Sequence, residues 1–206
     1  MKKLLYLLLM AGVIVSCQSR EKRALKLIDK QMFKELYDYK SYEPIETKVD
    51  SAYTNPYEDS TVRAIGYRIY AIKEVANDKM DEIHEAQSSM NIWSDMYTSY
   101  GSSEYTDAKN KWNEAHDDVT DLIARWKKCN DSIKFIASEL PHKFIGWKVT
   151  HKFRCKNKGG QPDLATYVYI MDKRMKKVIL QYEPEDETEQ SLKGLIEDAI
   201  NPEESK

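Results

Sequence analysis

From Val62 the residues Ile65, Ile69, Ile72, Ala76, Lys79, Ile83, Ala86, Met90, Trp93 and Tyr97 follow at alternating steps of three and four, and all but Lys79 are apolar. A second series keeps the same steps from Tyr105 through Ala108, Trp112, Ala115, Val119, Leu122, Trp126, Cys129, Ile133 and Ile136 to Leu140. Such spacing gathers the apolar residues into one stripe along a helix, and the stripe is stable only when another helix covers it. Between the series stands Gly101-Ser102-Ser103, which would end one helix and cap the next. The pattern therefore predicts an antiparallel hairpin over 60–140, with arms of about 36 residues and roughly 54 Å. Counted outward from the turn, Trp93 meets Ala108, Met90 meets Trp112, Ala86 meets Ala115, Ile83 meets Val119 and Ala76 meets Trp126, so that layers such as Trp93 with Ala108 and Ala76 with Trp126 set large against small. Lys79, opposite Leu122, would lay its methylenes along the seam and keep its ammonium in water. Tyr67, Ile92 and Ile123 lie off the seam and call for a further helix or a partner.

The flanking segments have other periods. Leu25, Ile28, Met32, Leu36 and Tyr39 recur at helical spacing, which predicts an amphipathic helix over about 23–39, stopped by Pro44. Residues 45–49 alternate as a strand does, Asn55-Pro56 marks a loop, and Ser60 or Thr61 would cap the first arm. The clearest strand sets Trp147, Val149, His151, Phe153 and Cys155 on one face and Lys148, Thr150, Lys152, Arg154 and Lys156 on the other. A turn at Asn157-Lys158-Gly159-Gly160, a strand over 166–171, a turn at Asp172-Lys173 and a strand over 178–182 complete a meander. Beyond it an acidic run from Glu183 resembles a solvated linker before a short amphipathic tail with Leu192, Leu195, Ile196 and Ala199. The expected fold class is α+β, a long antiparallel, coiled-coil-like helical hairpin inserted in a small unit of an N-terminal helix and a three- to four-stranded antiparallel sheet. Its divisions are a signal peptide over 1–16, a tether over 17–23, the α+β unit over 24–59 and 141–183, the hairpin over 60–140, and an acidic linker with tail helix over 184–206.

Location is written at the amino end. Lys2 and Lys3 precede an apolar run over 4–15, and small Ser16 stands before Cys17. The run reaches roughly 18 Å as a helix, short of the roughly 30 Å of a bilayer core, so it reads as a cleaved leader. Ile14-Val15-Ser16-Cys17 resembles the lipobox of bacterial lipoproteins, in which the cysteine thiol is acylated and the chain is cut just before it. With Lys40-Ser-Tyr-Glu-Pro-Ile45 and the Trp147 strand ahead of a Gly-Gly turn, the chain resembles small uncharacterised lipoproteins of Bacteroidetes-type bacteria, over about a third of its length; no activity carries over. That resemblance implies attachment to the cell membrane or outer membrane through lipidated Cys17, facing the periplasm or the surface. The tripeptides at Asp50-Ser51-Ala52, Asp59-Ser60-Thr61 and Asp131-Ser132-Ile133 are similar to O-glycosylation sites of those bacteria. In such a compartment Cys129 and Cys155 are able to pair, although Cys129 also suits a helix seam as a small apolar residue.

Chemistry is sparsely marked. The 34 Asp+Glu and 32 Lys+Arg give a formal net charge of −2, which offers no general attraction for nucleic acid. Gly-rich phosphate loops, nucleophile elbows, His-Glu-x-x-His and Cys-x-x-Cys do not occur. His84 and His116 stand at similar height on the two arms among carboxylates, a weak metal pair beside a simpler reading as a solvated acidic face. His151 would either line a pocket with Tyr167 and Tyr169 or sit in the core with one hydrogen bond. Lys148, Lys152, Arg154 and Lys156 form a row that would suit an anionic partner. No cofactor is expected. The functional expectation is a lipid-anchored cell-envelope protein of non-enzymatic, protein-interaction or structural role, with an envelope protein as partner. The alternative is a ligand- or glycan-binding lipoprotein with a pocket between the sheet and the hairpin base.

Overall fold

The computed structural model describes residues 20–94 and 99–202. The elements are α1 (Arg20–Glu35), β1 (Asp38–Tyr53), a 3-10 turn (Pro56–Glu58), α2 (Ser60–Trp93), α3 (Ser99–Glu139), β2 (Phe144–Lys156), β3 (Pro162–Asp172), β4 (Val178–Tyr182) and α4 (Glu187–Ile200). The fold is α+β, with two long helices forming the predicted hairpin. The chain divides into two compact units, one from residues up to Thr54 and Pro141–Gln190, the other from Asn55–Leu140 and the residues after Gln190.

In the first unit an antiparallel sheet runs in the order β1-β2-β3-β4. Helix α1 lays Ala24, Ile28 and Met32, one turn apart, against Val149, Phe153, Tyr169 and Met171, and all seven are closed to solvent. The helix is shifted from its expected span. It begins at Arg20, so most of the tether expected over 17–23 is helical, and it ends at Glu35. Tyr39 fits helical spacing but belongs to β1, because β2 offers pairing partners from Asp38↔Lys156 onward and local spacing cannot register a partner so distant in sequence. Pro44 does not stop a helix. It lies within the edge strand β1 at a shift in register, where a missing N–H is tolerated. Thr54 N–H donates to the Lys143 carbonyl at 2.9 Å and Lys143 N–H donates to the Thr54 hydroxyl at 3.0 Å, so the chain leaves this unit and re-enters it at one hydrogen-bonded point.

The second unit is the hairpin with the end of α4. Asp59, not Ser60 or Thr61, caps α2, its carboxylate accepting from Thr61 N–H at 2.9 Å and Val62 N–H at 3.0 Å. Nor does Gly101-Ser102-Ser103 break the chain. Helix α3 already runs from Ser99, since one glycine costs a long helix only about 1 kcal/mol. Tyr97, assigned to the first stripe, lies outside the described residues. Three contacts fix the antiparallel register: Trp93 packs edge-on against Tyr100 at 5.6 Å, Lys79 Nζ lies 3.1 Å from Asp118, and Ile133 shares a core with Val62 and Ile69. Lys79 does not simply reach water. Its ammonium is held between Asp118 and Glu82, the latter at 2.9 Å, and both carboxylates raise its pKa. Stripe positions Ala86, Ala108, Ala115 and Leu122 are buried, whereas Trp126 is 45% exposed. The tail helix docks: Leu192, Ile196 and Ala199 complete the Val62, Ile69 and Ile133 cluster. Gly66 permits this, because a Cβ there would stand 2.5 Å from Leu192 Cδ1.

Candidate functional site

His151 lies on the inner face of β2, closed to solvent, and both of its ring nitrogens are bonded. Nε2 lies 2.8 Å from the Tyr42 hydroxyl and Nδ1 lies 2.8 Å from the Thr47 hydroxyl. A neutral imidazole donates from one nitrogen and accepts at the other, so it satisfies one hydroxyl of each sense. Burial pushes the His151 pKa from 6.5 down to about 4 and the Tyr42 pKa up to about 12. Sequence spacing allowed one hydrogen bond for this histidine. The second went unseen because Tyr42 and Thr47 reach it only through β1–β2 pairing more than a hundred residues apart.

Of the expected pocket residues, His151 and Tyr169 are fully buried, whereas Tyr167 borders an open groove of about 490 Å³, shared with Glu35, Gln181 and Tyr182. Burial raises the pKa of Tyr169, whose hydroxyl has no hydrogen-bond partner among the described residues.

The neutral His151 makes acid stability measurable. As pH falls, the unfolded chain takes up this proton first, so the contribution is whole above about pH 6.5 and is lost towards about pH 4. We expect a loss of about 3 kcal/mol over that window from this group. Urea unfolding at stepped pH should show a steeper slope for the wild type than for His151→Phe, and equal slopes would contradict the assignment.

The basic row lies on the outer face of β2, but it is not alone there. Register sets Asp50 beside Lys148, Glu46 beside Lys152 and Glu43 beside Arg154, whose guanidinium stands 3.8 Å from the Glu43 carboxylate. Lys156 is paired in register with Asp38. The row thus presents alternating charge, a consequence of β1 extending over Asp38–Tyr53 rather than 45–49. Val168 and Ile170 share that face and are buried.

His84 and His116 are both exposed, and His116 stacks on Trp112 at 5.0 Å. Among the described residues no group of three or more His, Cys, Asp or Glu side chains is arranged to hold a metal. Cys129 and Cys155 are free thiols, one in each unit. Cys17 lies outside the described residues. Of the three serines in the glycosylation-like tripeptides, Ser51 and Ser60 are exposed, and Ser132 is half-buried with its hydroxyl donating to the Lys128 carbonyl at 2.8 Å.

A further surface feature lies on the hairpin. Ile69, Ile72 and Ala76 of α2, Leu122, Ile123 and Trp126 of α3, and Leu195 of α4 line an apolar groove of about 340 Å³, with Lys73 at its rim. Ile123 is 56% and Trp126 45% exposed. Ile123 is one of the off-seam residues the sequence marked as unaccounted for; Tyr67 and Ile92 are exposed as well. Trp126 escaped notice because its heptad position argued for burial. The groove joins residues of both stripes to Leu195 of α4, and the docking of α4 is not encoded in either stripe.

The chain matches no protein-family model, no curated protein and no solved structure. Among the described residues no helix is long and apolar enough to cross a membrane.

Proposed function

We propose that the chain is a lipid-anchored cell-envelope protein, tethered through acylated Cys17, that acts without catalysis by binding another envelope protein along its helical hairpin. The observation that carries this reading is the open apolar groove beside α4, with Ile123 and Trp126 exposed on its wall. Large apolar side chains gathered on a groove are a recurrent mark of interaction surfaces. The neighbouring packing indicates the partner's chemistry. Helix α4 already lies on the hairpin through Leu192, Ile196 and Ala199, and its Leu195 forms part of the groove. An amphipathic helix with apolar residues at i, i+3 or i+4, and i+7 would continue that track.

A photo-crosslinking residue at Ile123, in the full chain expressed in its native envelope, tests the reading. The expected result is a discrete adduct whose linked segment has that apolar spacing. The same crosslinker at Lys158, in the exposed β2–β3 turn, should give none, and Trp126→Glu should abolish the Ile123 adduct. Equal yields from both positions, or an Ile123 adduct indifferent to Trp126→Glu, would contradict the proposal.

A further inference from the structure

One end of the first unit gathers positive charge from two segments far apart in sequence. Helix α1 opens with Arg20, Lys22 and Arg23 around a single acid, Glu21. The turn from β3 into β4 carries Lys173, Arg174, Lys176 and Lys177, with Asp172 as its one acid. Trp147 brings the two together. Its ring lies beneath the Arg20 guanidinium at 4.1 Å, and its indole N–H donates to the Lys173 carbonyl at 3.1 Å. Phe144 packs edge-on to that ring at 5.4 Å, with the Lys173 ammonium 5.9 Å above its own face. All seven basic side chains are exposed. Seven bases against two acids stand here in a chain whose formal net charge is −2.

The turn presents its charges from a fixed backbone. Asp172 accepts N–H bonds from Lys176 at 2.6 Å and Lys177 at 3.0 Å, which hold its carboxyl below the usual carboxylate range. Met175 adopts φ +53° and is buried, so the loop between them is anchored rather than free. The position of this end matters as much as its charge. Arg20 is three residues beyond Cys17, and three residues reach at most about 10 Å. An acyl group on Cys17 would therefore hold the basic end within roughly one screening length of a bilayer at physiological salt.

We propose that this end, built from the start of α1 and the β3–β4 turn, is a membrane-facing surface that docks on anionic phospholipid headgroups. The inference rests on the lipid anchor of the function proposed above. The anchor sets the distance, and the basic residues set the orientation of the first unit against the phosphate layer.

The test compares binding of the full chain to phosphatidylcholine vesicles and to vesicles that also contain phosphatidylglycerol, at low and high salt. One variant carries Lys173→Glu, Arg174→Glu, Lys176→Glu and Lys177→Glu. A second carries Arg20→Glu, Lys22→Glu and Arg23→Glu, changes that favour the first turn of a helix and so leave the fold in place. The apolar run over 4–15 is common to all three proteins, so any binding through it cancels in the comparison. Wild type should prefer the anionic vesicles, lose that preference in high salt, and bind them on the order of a hundredfold more tightly than the turn variant. Equal binding of wild type and both variants, or no preference for anionic vesicles, would overturn the proposal. Mass analysis of Cys17 in protein taken from cells separates the two claims. An acylated chain without lipid-charge preference refutes the docking surface and keeps the anchor; a preference without acylation supports the surface and refutes the anchor.

Discussion

Gly146→Ala should cost the sheet unit about 3 kcal/mol, a large fraction of the roughly 5–15 kcal/mol that holds a domain together. Gly146, the third residue of β2, has φ +158°, and a Cβ built there would stand 1.9 Å from the Met171 carbonyl oxygen. That oxygen is backbone, paired into the sheet beside Asp172, and it has no rotamer with which to give way. The strands must part or slip, and a slip of β2 by one residue would turn His151 and Phe153 out of the core. A melting midpoint lowered by roughly 10 °C or more is expected for the variant. A change of less than about 2 °C would mean that β2 and β3 do not approach as described.

Leu192→Asp should be at least as severe for the second unit. Leu192 is closed to solvent between Gly66 and the Val62, Ile69 and Ile133 cluster, so a carboxylate there is either buried unpaired or drives α4 off the hairpin. Both routes expose or desolvate groups at a cost of about 4 kcal/mol. Lys193→Asp, one residue away on the exposed side, removes only a surface pair with Glu197 at 3.7 Å and should change stability by less than about 0.5 kcal/mol. Urea unfolding of the two variants distinguishes a docked α4 from a loose tail, because a loose tail makes them equivalent.

The contrast between those neighbours also shows which parts of the fold were legible in the sequence. Stripes at 3-4 spacing are local, and each residue's neighbours along the helix already define the face that must be covered, so the hairpin could be read directly. The alternation around His151 named the buried face of β2 for the same reason. What escaped reading depends on distant partners. Tyr39 has helical spacing behind it but pairs within a sheet, Pro44 looks like a stop but occupies an edge-strand irregularity, and the carboxylates of β1 meet the basic row only once register is set. The tail's apolar residues were visible as an amphipathic face, whereas the surface they cover was not, since Gly66 reveals itself as a contact only beside Leu192. The site followed the same rule. Ile123 stood out as an apolar residue off the seam, but the groove it lines also takes Leu195 from α4, a neighbour no local pattern names. The basic end joins residues 20–23 to 172–177 through one tryptophan, a juxtaposition no linear scan would find.

The central claim is that α2 and α3 zip together antiparallel in one register, and the Lys79–Asp118 pair, with Nζ 3.1 Å from the carboxylate, offers the most direct test. A zero-length carbodiimide coupling of the full chain, followed by digestion and mass analysis, should give an amide joining Lys79 to Asp118 alongside one joining Lys79 to Glu82 within its own helix. Coupling of Lys79 to Glu82 alone, or to carboxylates elsewhere on α3 such as Asp107 or Asp131, would show that the arms do not meet in this register.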